Sequence, residues 1–392
     1  MNPRLLLLAV CQGLFLTNNV TFIAINGLVG FALAPLPWMA TLPVMGYVVG
    51  GALSTGLVAR TQRRYGRQRS FQLGLIVGLA SALLCAWAAV TRNFELLVLA
   101  TVVAGYYNAN AHLYRFAAAE LVGAGEREKA VSWVMAGGLI GAIAGPNLAA
   151  AGRDLLSAPF AGAYLGLSGV ALAGLVLMSF LRFPPSAAPT GAAAPKRPLG
   201  QILRQPVFVV AALTGAMGYG VMNLLMAATP LAMQQCGLPF GDAAFVLEWH
   251  VIGMFAPGFF TGNLIKRFGS LKVMAAGVVL NLICIAIALS GVNLHNFVIA
   301  LFLLGVGWNF LFTGSTTLSL AAYSPQERDQ AQGALNFFVF VTMAVTSLSS
   351  GVLITTQGWN ILNTGSLVPV ALCGLALGWL AWIQRRSAPA SP

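Results

Sequence analysis

A chain of 392 residues that is 58% hydrophobic and only 8% charged does not fold as an ordinary water-soluble domain. Its apolar runs of about 20 residues, the length a bilayer core asks of a helix, recur along nearly the whole sequence. The runs are continuous rather than alternating, which excludes a membrane β-barrel and leaves helices, whose backbone groups are satisfied internally. The net charge of +12 suggests nucleic acid only until the basic residues are placed.

The first run starts at Leu5, after Arg4, and continues through Thr17-Asn18-Asn19 toward Leu33 without a small-x-small cleavage site. It therefore reads as a membrane span rather than a signal peptide. Hydropathy predicts twelve spans at about 5 to 28, 38 to 59, 71 to 90, 96 to 118, 130 to 150, 161 to 181, 207 to 229, 242 to 264, 273 to 290, 296 to 319, 331 to 354 and 363 to 383. With these spans, 18 of the 21 Lys and Arg fall on one side, two (Arg92 and Arg153) on the other, and Arg115 within span four. The positive-inside rule then puts both termini in the cytoplasm of a multi-pass inner-membrane protein, with the lipid bilayer and not nucleic acid as the partner of its basic residues. Between spans six and seven, Arg182 to Pro206 is rich in proline, alanine and basic residues (Pro184, Pro185, Pro195, Lys196, Arg197, Pro198) and reads as a tether. The expected organisation is a six-helix bundle over 1–181, a cytoplasmic linker over 182–206 and a second six-helix bundle over 207–392.

The five cysteines (Cys11, Cys85, Cys236, Cys284, Cys373) are scattered and form no disulfide framework. No Walker-type phosphate loop, metal-hydrolase motif or soluble catalytic domain appears, so neither an enzyme nor an ATP-driven pump is expected, and no cofactor. His295 and Asp242 fall near outer loops, where they are solvated.

The halves repeat one another. Arg63-Arg64-Tyr65-Gly66-Arg67 follows span two and Lys266-Arg267-Phe268-Gly269 follows span eight, an offset of 203. Tyr107-Asn108 in span four answers Trp308-Asn309 in span ten, and Glu126-Arg127-Glu128-Lys129-Ala130 answers Glu327-Arg328-Asp329-Gln330-Ala331, both at an offset of 201. Parallel six-helix repeats with a central substrate path between them follow from this. These residues resemble the major facilitator superfamily over essentially the whole chain. The resemblance implies an all-α polytopic fold of two pseudo-symmetric six-helix bundles and secondary transport by alternating access. The family loop usually reads Gly-x-x-x-Asp-Arg-x-Gly-Arg. Here Ala59 and Arg63 take the glycine and aspartate places, and in the second half Gly262 is kept while Lys266 replaces the aspartate. The ionic lock that the aspartate supplies must then use other pairs, for which Glu120, Glu126 and Glu128 are candidates.

The residues that could carry chemistry concentrate between Met222 and Met254. Met222 and Met226 in span seven, and His250 and Met254 in span eight, are pairs four apart, so each pair shares one helix face. Thioether sulfur with imidazole nitrogen suits a soft metal such as Cu(I). The same methionines are also ordinary gap-filling membrane residues, whereas a histidine deep in a span is costly without a partner and points to function. Met233 and Cys236, near the outer end of span seven, are candidates for collecting metal at the mouth. Glu248 lies about 160° around the helix from His250 and is assigned a structural or coupling role. Asn108, His112 and Arg115 with Tyr107 in span four could read an organic anion or flavin, or serve as helix bridges and a snorkelling arginine. Asn18 and Asn19, Asn223 and Asn309 fit a polar cavity without naming its cargo.

Met-xxx-Met in span seven followed by His-xxx-Met in span eight is similar to the CcoA-like copper importers, a bacterial branch of the superfamily. That resemblance implies that Met222, Met226, His250 and Met254 are copper ligands, and that copper, as Cu(I), is the transported substrate rather than a cofactor. It implies supply of copper to cbb3-type haem-copper oxidase biogenesis, with copper chaperones of the cytoplasm or periplasm as partners. Neighbouring members of the branch are similar to riboflavin transporters, so the alternative expectation is an importer of a small organic molecule such as riboflavin, with the Met and His pairs as packing.

Overall fold

The computed structural model describes residues 2–123, 130, 133, 134, 136–183, 197–324 and 327–387, with backbone alone at 59, 63, 115, 116, 119, 328–330, 332 and 387. Among these residues every regular element is helical. In chain order they are α1 (Pro3–Leu33), a single turn at Pro37–Met39, α2 (Leu42–Val90), α3 (Phe94–Ala111), α4 (Tyr114–Glu120), α5 (Gly138–Ala151) and α6 (Ala161–Ser179). The second half holds α7 (Leu199–Leu203), α8 (Pro206–Gln235), α9 (Phe240–Phe255), α10 (Gly258–Phe268), α11 (Ser270–Ser290), α12 (Leu294–Ser319), a turn at Leu320–Ala322, α13 (Arg328–Thr356) and α14 (Gly358–Ser387).

Ten helices among the described residues are long and apolar enough to cross a membrane. The other two expected spans are present in altered form. Span four bends at His112-Leu113 between α3 and α4, and span five appears as α5, a shorter apolar helix. Spans two and three form the single run α2, interrupted at Gly66, and span eight is broken between α9 and α10 at Pro257, whose ring cannot donate to the preceding turn. Most of the expected linker, 184–196, lies outside the described residues.

The repeat read in the sequence is built into the backbone. Gly66 (φ 79°, ψ 170°) and Gly269 (φ 84°, ψ 154°), 203 residues apart, turn the chain in the same glycine-only region. Asn93 and Asn293 cap α3 and α12 alike, accepting from the amides of Leu96 (2.8 Å) and Asn296 (3.1 Å). Close approach is repeated too. A β-carbon on Gly50 would fall 2.0 Å from the Val102 carbonyl oxygen, and one on Gly253, again 203 residues on, 2.6 Å from that of Phe302. In lipid there is no hydrophobic force between helices, so small residues that let backbones touch supply the packing.

The two bundles meet at the end where α1 finishes and α2 begins. Thr41 Oγ1 donates to the Ser347 carbonyl (2.6 Å) and accepts from the Gly351 amide (3.1 Å), while the Phe160 and Phe240 rings pack 5.0 Å apart. These contacts seal this end. At the other end, among the described residues, one ion pair lies within the first half and another joins the end of the linker segment to the second half. Arg67 grips Glu120 through two nitrogens, Nε at 2.7 Å. Arg197 donates to Glu327 through its amide (3.0 Å), Nε (2.7 Å) and Nη2 (2.7 Å), which holds that carboxyl well below the usual carboxylate range. Of the three acids considered for the lock, Glu120 is thus paired inside its own bundle. Glu126 and Glu128 lie outside the described residues, and Arg63 is described by its backbone only.

A β-carbon at Gly66 or Gly269 would meet nothing within 4 Å, so the cost of filling either site is backbone strain alone, about 1–3 kcal/mol. Gly66→Ala and Gly269→Ala should each lower the melting temperature in detergent. Gly262→Ala, equally uncrowded but in a helical turn, should leave it unchanged or raise it slightly. Equal melting of all three would contradict the strain assignment.

Candidate functional site

A cavity of about 120 Å3 lies between the bundles. The first half contributes Phe15 and Asn19 of α1, Tyr47 of α2, Asn108 of α3 and His112 at the bend that follows. The second contributes Tyr219, Met222, Asn223 and Met226 of α8, Met254 and Phe255 of α9, Trp308 and Phe312 of α12, and Asn336, Phe340 and Met343 of α13.

Aromatic rings dominate the wall. Trp308 and Phe312 stack at 5.1 Å with an interplanar angle of 11°, Tyr219 stands edge-on to both at 5.3 Å, and Phe255 meets Trp308 at 6.0 Å. Opposite, the His112 ring is wedged between the edges of Phe15 (5.6 Å) and Phe340 (6.0 Å). Rings in T-shaped and offset arrangements hold each other beyond their area burial. The shelf is therefore stiff before anything binds. No Asp, Glu, Lys or Arg lines the cavity among the described residues.

The polar groups divide into those committed to the fold and those left open. Asn223 lines the cavity, yet its amide donates to the Met343 carbonyl (3.1 Å), Thr346 Oγ1 (3.1 Å) and Ser347 Oγ (2.8 Å), tying α8 to α13. Asn309, expected in the cavity, is not in its wall. Its Nδ2 donates to the Met254 carbonyl (2.7 Å), an acceptor the break at Pro257 leaves without its helical partner, and its Oδ1 accepts from Thr261 Oγ1 (2.7 Å). Asn309 stitches the broken span eight to α12. By contrast, Asn108 Oδ1 and Trp308 Nε1 are buried and have no partner.

The soft-donor residues are only partly gathered. Met222, Met226 and Met254 share the cavity wall, and Met343 of α13 joins them. His250 does not. It is fully buried, and its Nδ1 lies 2.6 Å from the Leu301 carbonyl, an acceptor, so Nδ1 carries the proton and Nε2 keeps a lone pair with no partner. The reason is the close approach of α9 and α12: a β-carbon on Gly305 would fall 2.4 Å from the His250 carbonyl oxygen, which presses this turn against α12. Among the described residues no three His, Cys, Asp or Glu come together as a metal site.

Of the other candidates, Asn19, Asn108 and His112 line the cavity, while Asn18 and Tyr107 are buried behind it, Tyr107 edge-on to Phe15 at 5.7 Å. Glu248 is half-buried on α9 outside the wall. Met233 is fully buried in packing and Cys236 is exposed at the α8 terminus. Neither lines the larger cavity of about 570 Å3 at the sealed end, which Arg92, Arg153, Phe160 and Gln234 help to wall. The Arg115 side chain lies outside the described residues. Sequence reasoning missed Tyr47, Tyr219, Phe312, Asn336, Phe340 and Met343 as wall residues. Only Trp308 carried a signal, as the repeat mate of Tyr107.

Two bundles related by an internal repeat, with a cavity between them, have the architecture of a membrane transporter. The chain belongs to the Major Facilitator Superfamily, whose profile matches residues 5–256 and 219–392. It is 38% identical over 362 residues to the riboflavin transporter RfnT of Brucella anthropi, covering 92% of this chain and 91% of that one. It is 28% identical over 366 residues to YdeG, an uncharacterized transporter of the same superfamily type from Bacillus subtilis, covering 88% and 84%. Among solved structures it superposes on the nucleoside transporter NupG with a TM-score of 0.73 at 12% identity, covering 95% of this chain and 98% of that one. The human organic anion transporter MFSD10 gives 0.69 at 16% identity, covering 96% and 100%. These two show the shared fold.

Asn309→Ala should destabilise the protein by about 1–2 kcal/mol, since interhelical hydrogen bonds in membranes contribute about 0.6 kcal/mol on average and up to about 1.7. The check is a detergent melting curve beside Asn336→Ala, which alters the cavity wall and should melt close to wild type. The reverse order would contradict the stitching role.

Proposed function

We propose that the chain imports riboflavin, or a flavin of the same size and charge, across the bacterial inner membrane by alternating access, with both termini in the cytoplasm. The observation that carries this reading is the composition of the central cavity: an aromatic shelf of Trp308, Phe312 and Tyr219, open amide and indole groups, and no charged side chain among the described residues. A planar heteroaromatic ring stacks on such a shelf, and stacking of a base on an aromatic side chain contributes about 1–3 kcal/mol. The 38% identical relative that is a riboflavin transporter supports the same cargo. At about 120 Å3 the cavity is in a contracted state; with both termini in the cytoplasm the Thr41 seal faces outward, so loading must part the walls at that seal and release must part them at the opposite end.

The absence of charge among the described wall residues sets selectivity. A phosphate carried into this cavity would lose its water without gaining a cation, so a phosphorylated flavin should be rejected. A bare copper ion would likewise enter without a counter-charge. The copper reading keeps one observation in its favour: the thioethers of Met222, Met226, Met254 and Met343 border a single cavity. It lacks the expected imidazole, since His250 is outside the wall and the imidazole in the wall is that of His112.

The test is uptake of labelled riboflavin and, separately, of copper in cells lacking their own importers for each. Riboflavin should accumulate, riboflavin 5′-phosphate should compete at least about tenfold more weakly, and Met222→Leu with Met226→Leu should retain most of the riboflavin uptake, because the swap nearly conserves volume. Copper accumulation that this double variant abolishes, with no riboflavin uptake by wild type, would overturn the proposal and establish the soft-metal path.

A further inference from the structure

Tyr47 Oη, Asn108 Oδ1 and Trp308 Nε1 are unpaired in the cavity wall, and the last two, an acceptor and a donor whose side chains are only 2% (Asn108) and 5% (Trp308) exposed, are complementary. Nearly all buried polar groups in proteins are paired, and in the middle of a bilayer the alternative to a partner is hydrocarbon. The two atoms also belong to different bundles, Asn108 to α3 and Trp308 to α12.

The internal repeat sets each of these two residues against a mate that does not line the cavity. Asn309 follows Asn108, and Trp308 follows Tyr107, by 201 residues. Asn309 has both ends of its amide engaged, and Tyr107 is buried against Phe15 outside the cavity wall. Of each repeat pair, only one member presents an unmet polar atom to the cavity: Asn309 is engaged at both ends, and the unpaired Tyr107 hydroxyl is buried outside the wall. The first bundle offers the amide, the second the indole.

An acceptor and a donor on one cavity read a ring edge that carries an N–H beside a carbonyl. Building on the flavin cargo proposed above, we infer that Asn108 and Trp308 read the imide edge of the isoalloxazine. Asn108 Oδ1 accepts from the ring N3–H and Trp308 Nε1 donates to a carbonyl flanking it. The cargo thereby makes one bond to each bundle and draws the two together around itself. The pair selects cyclic imides and lactams over rings of equal area that lack such an edge.

The experiment is competition against labelled riboflavin uptake by the full-length protein in cells, using N3-methylriboflavin, which has lost the N–H, and 5-deazariboflavin, which keeps the imide edge. In wild type, 5-deazariboflavin should compete about as well as riboflavin and N3-methylriboflavin about tenfold to a hundredfold more weakly. In Asn108→Leu that ratio should collapse toward one. In Trp308→Phe, which keeps the aromatic surface, both ligands should weaken together and the ratio should persist. Should Asn108→Leu fail to transport, fluorescence titration of the purified variant reads the same ratio as binding, and the wild-type comparison needs no variant. Equal competition by N3-methylriboflavin in wild type overturns the pairing while leaving riboflavin as cargo, as does a ratio that Asn108→Leu leaves intact. Wild type that takes up no riboflavin overturns the cargo assignment and the pairing with it.

Discussion

The constraint on which everything else in this molecule depends is that a polar group inside the bilayer must find a partner within the protein. It explains why the chain is helical throughout its described length and why Asn309 reaches for the Met254 carbonyl at the break in span eight. It also explains why Asn223 makes three bonds across to α13 and why His250 turns its Nδ1–H to the Leu301 carbonyl. An unmet amide oxygen and an unmet indole N–H that share one cavity, acceptor and donor on opposite bundles, are places for something that is not protein.

The second organising fact is close backbone contact repeated at a fixed offset. Gly50 and Gly253 bring their helices onto Val102 and Phe302, and Gly66 and Gly269 turn the chain identically between spans. Each six-helix unit is therefore a stiff body, and movement is concentrated at the seam between the units, where Thr41 and the Phe160–Phe240 pair hold one end shut. The ion pairs of Arg67 with Glu120, within the first half, and of Arg197, at the end of the linker segment, with Glu327 brace those bodies without bridging them.

Much of this was legible in the sequence, for physical reasons that also mark where legibility stopped. Length and continuity of apolar runs declared the helices, and the twin Arg-aromatic-Gly loops declared the repeat, because turn chemistry and charge placement are local properties. The bends at His112 and Pro257 moved two spans from their expected form, since a bend depends on which neighbour accepts the freed carbonyls. The Met222, Met226 and Met254 stripe did reach the cavity, as the four-residue spacing implied. His250, one turn from Met254, did not, because Gly305 pulls that turn of α9 onto α12. A helical wheel holds no information about such a contact. Nor could the sequence separate Phe312 or Phe340 in the wall from the many aromatic residues facing lipid, as both sit in uniformly apolar runs.

The most direct test of the central claim, that the neutral aromatic cavity holds a flavin, is an equilibrium titration of riboflavin fluorescence with the purified protein in detergent. An isoalloxazine held beside Phe312 with its imide edge at Trp308 should be quenched saturably at one site per chain, and Trp308→Ala should remove most of that quenching. Riboflavin fluorescence that stays constant at saturating protein, while copper binds the same preparation, would contradict the account.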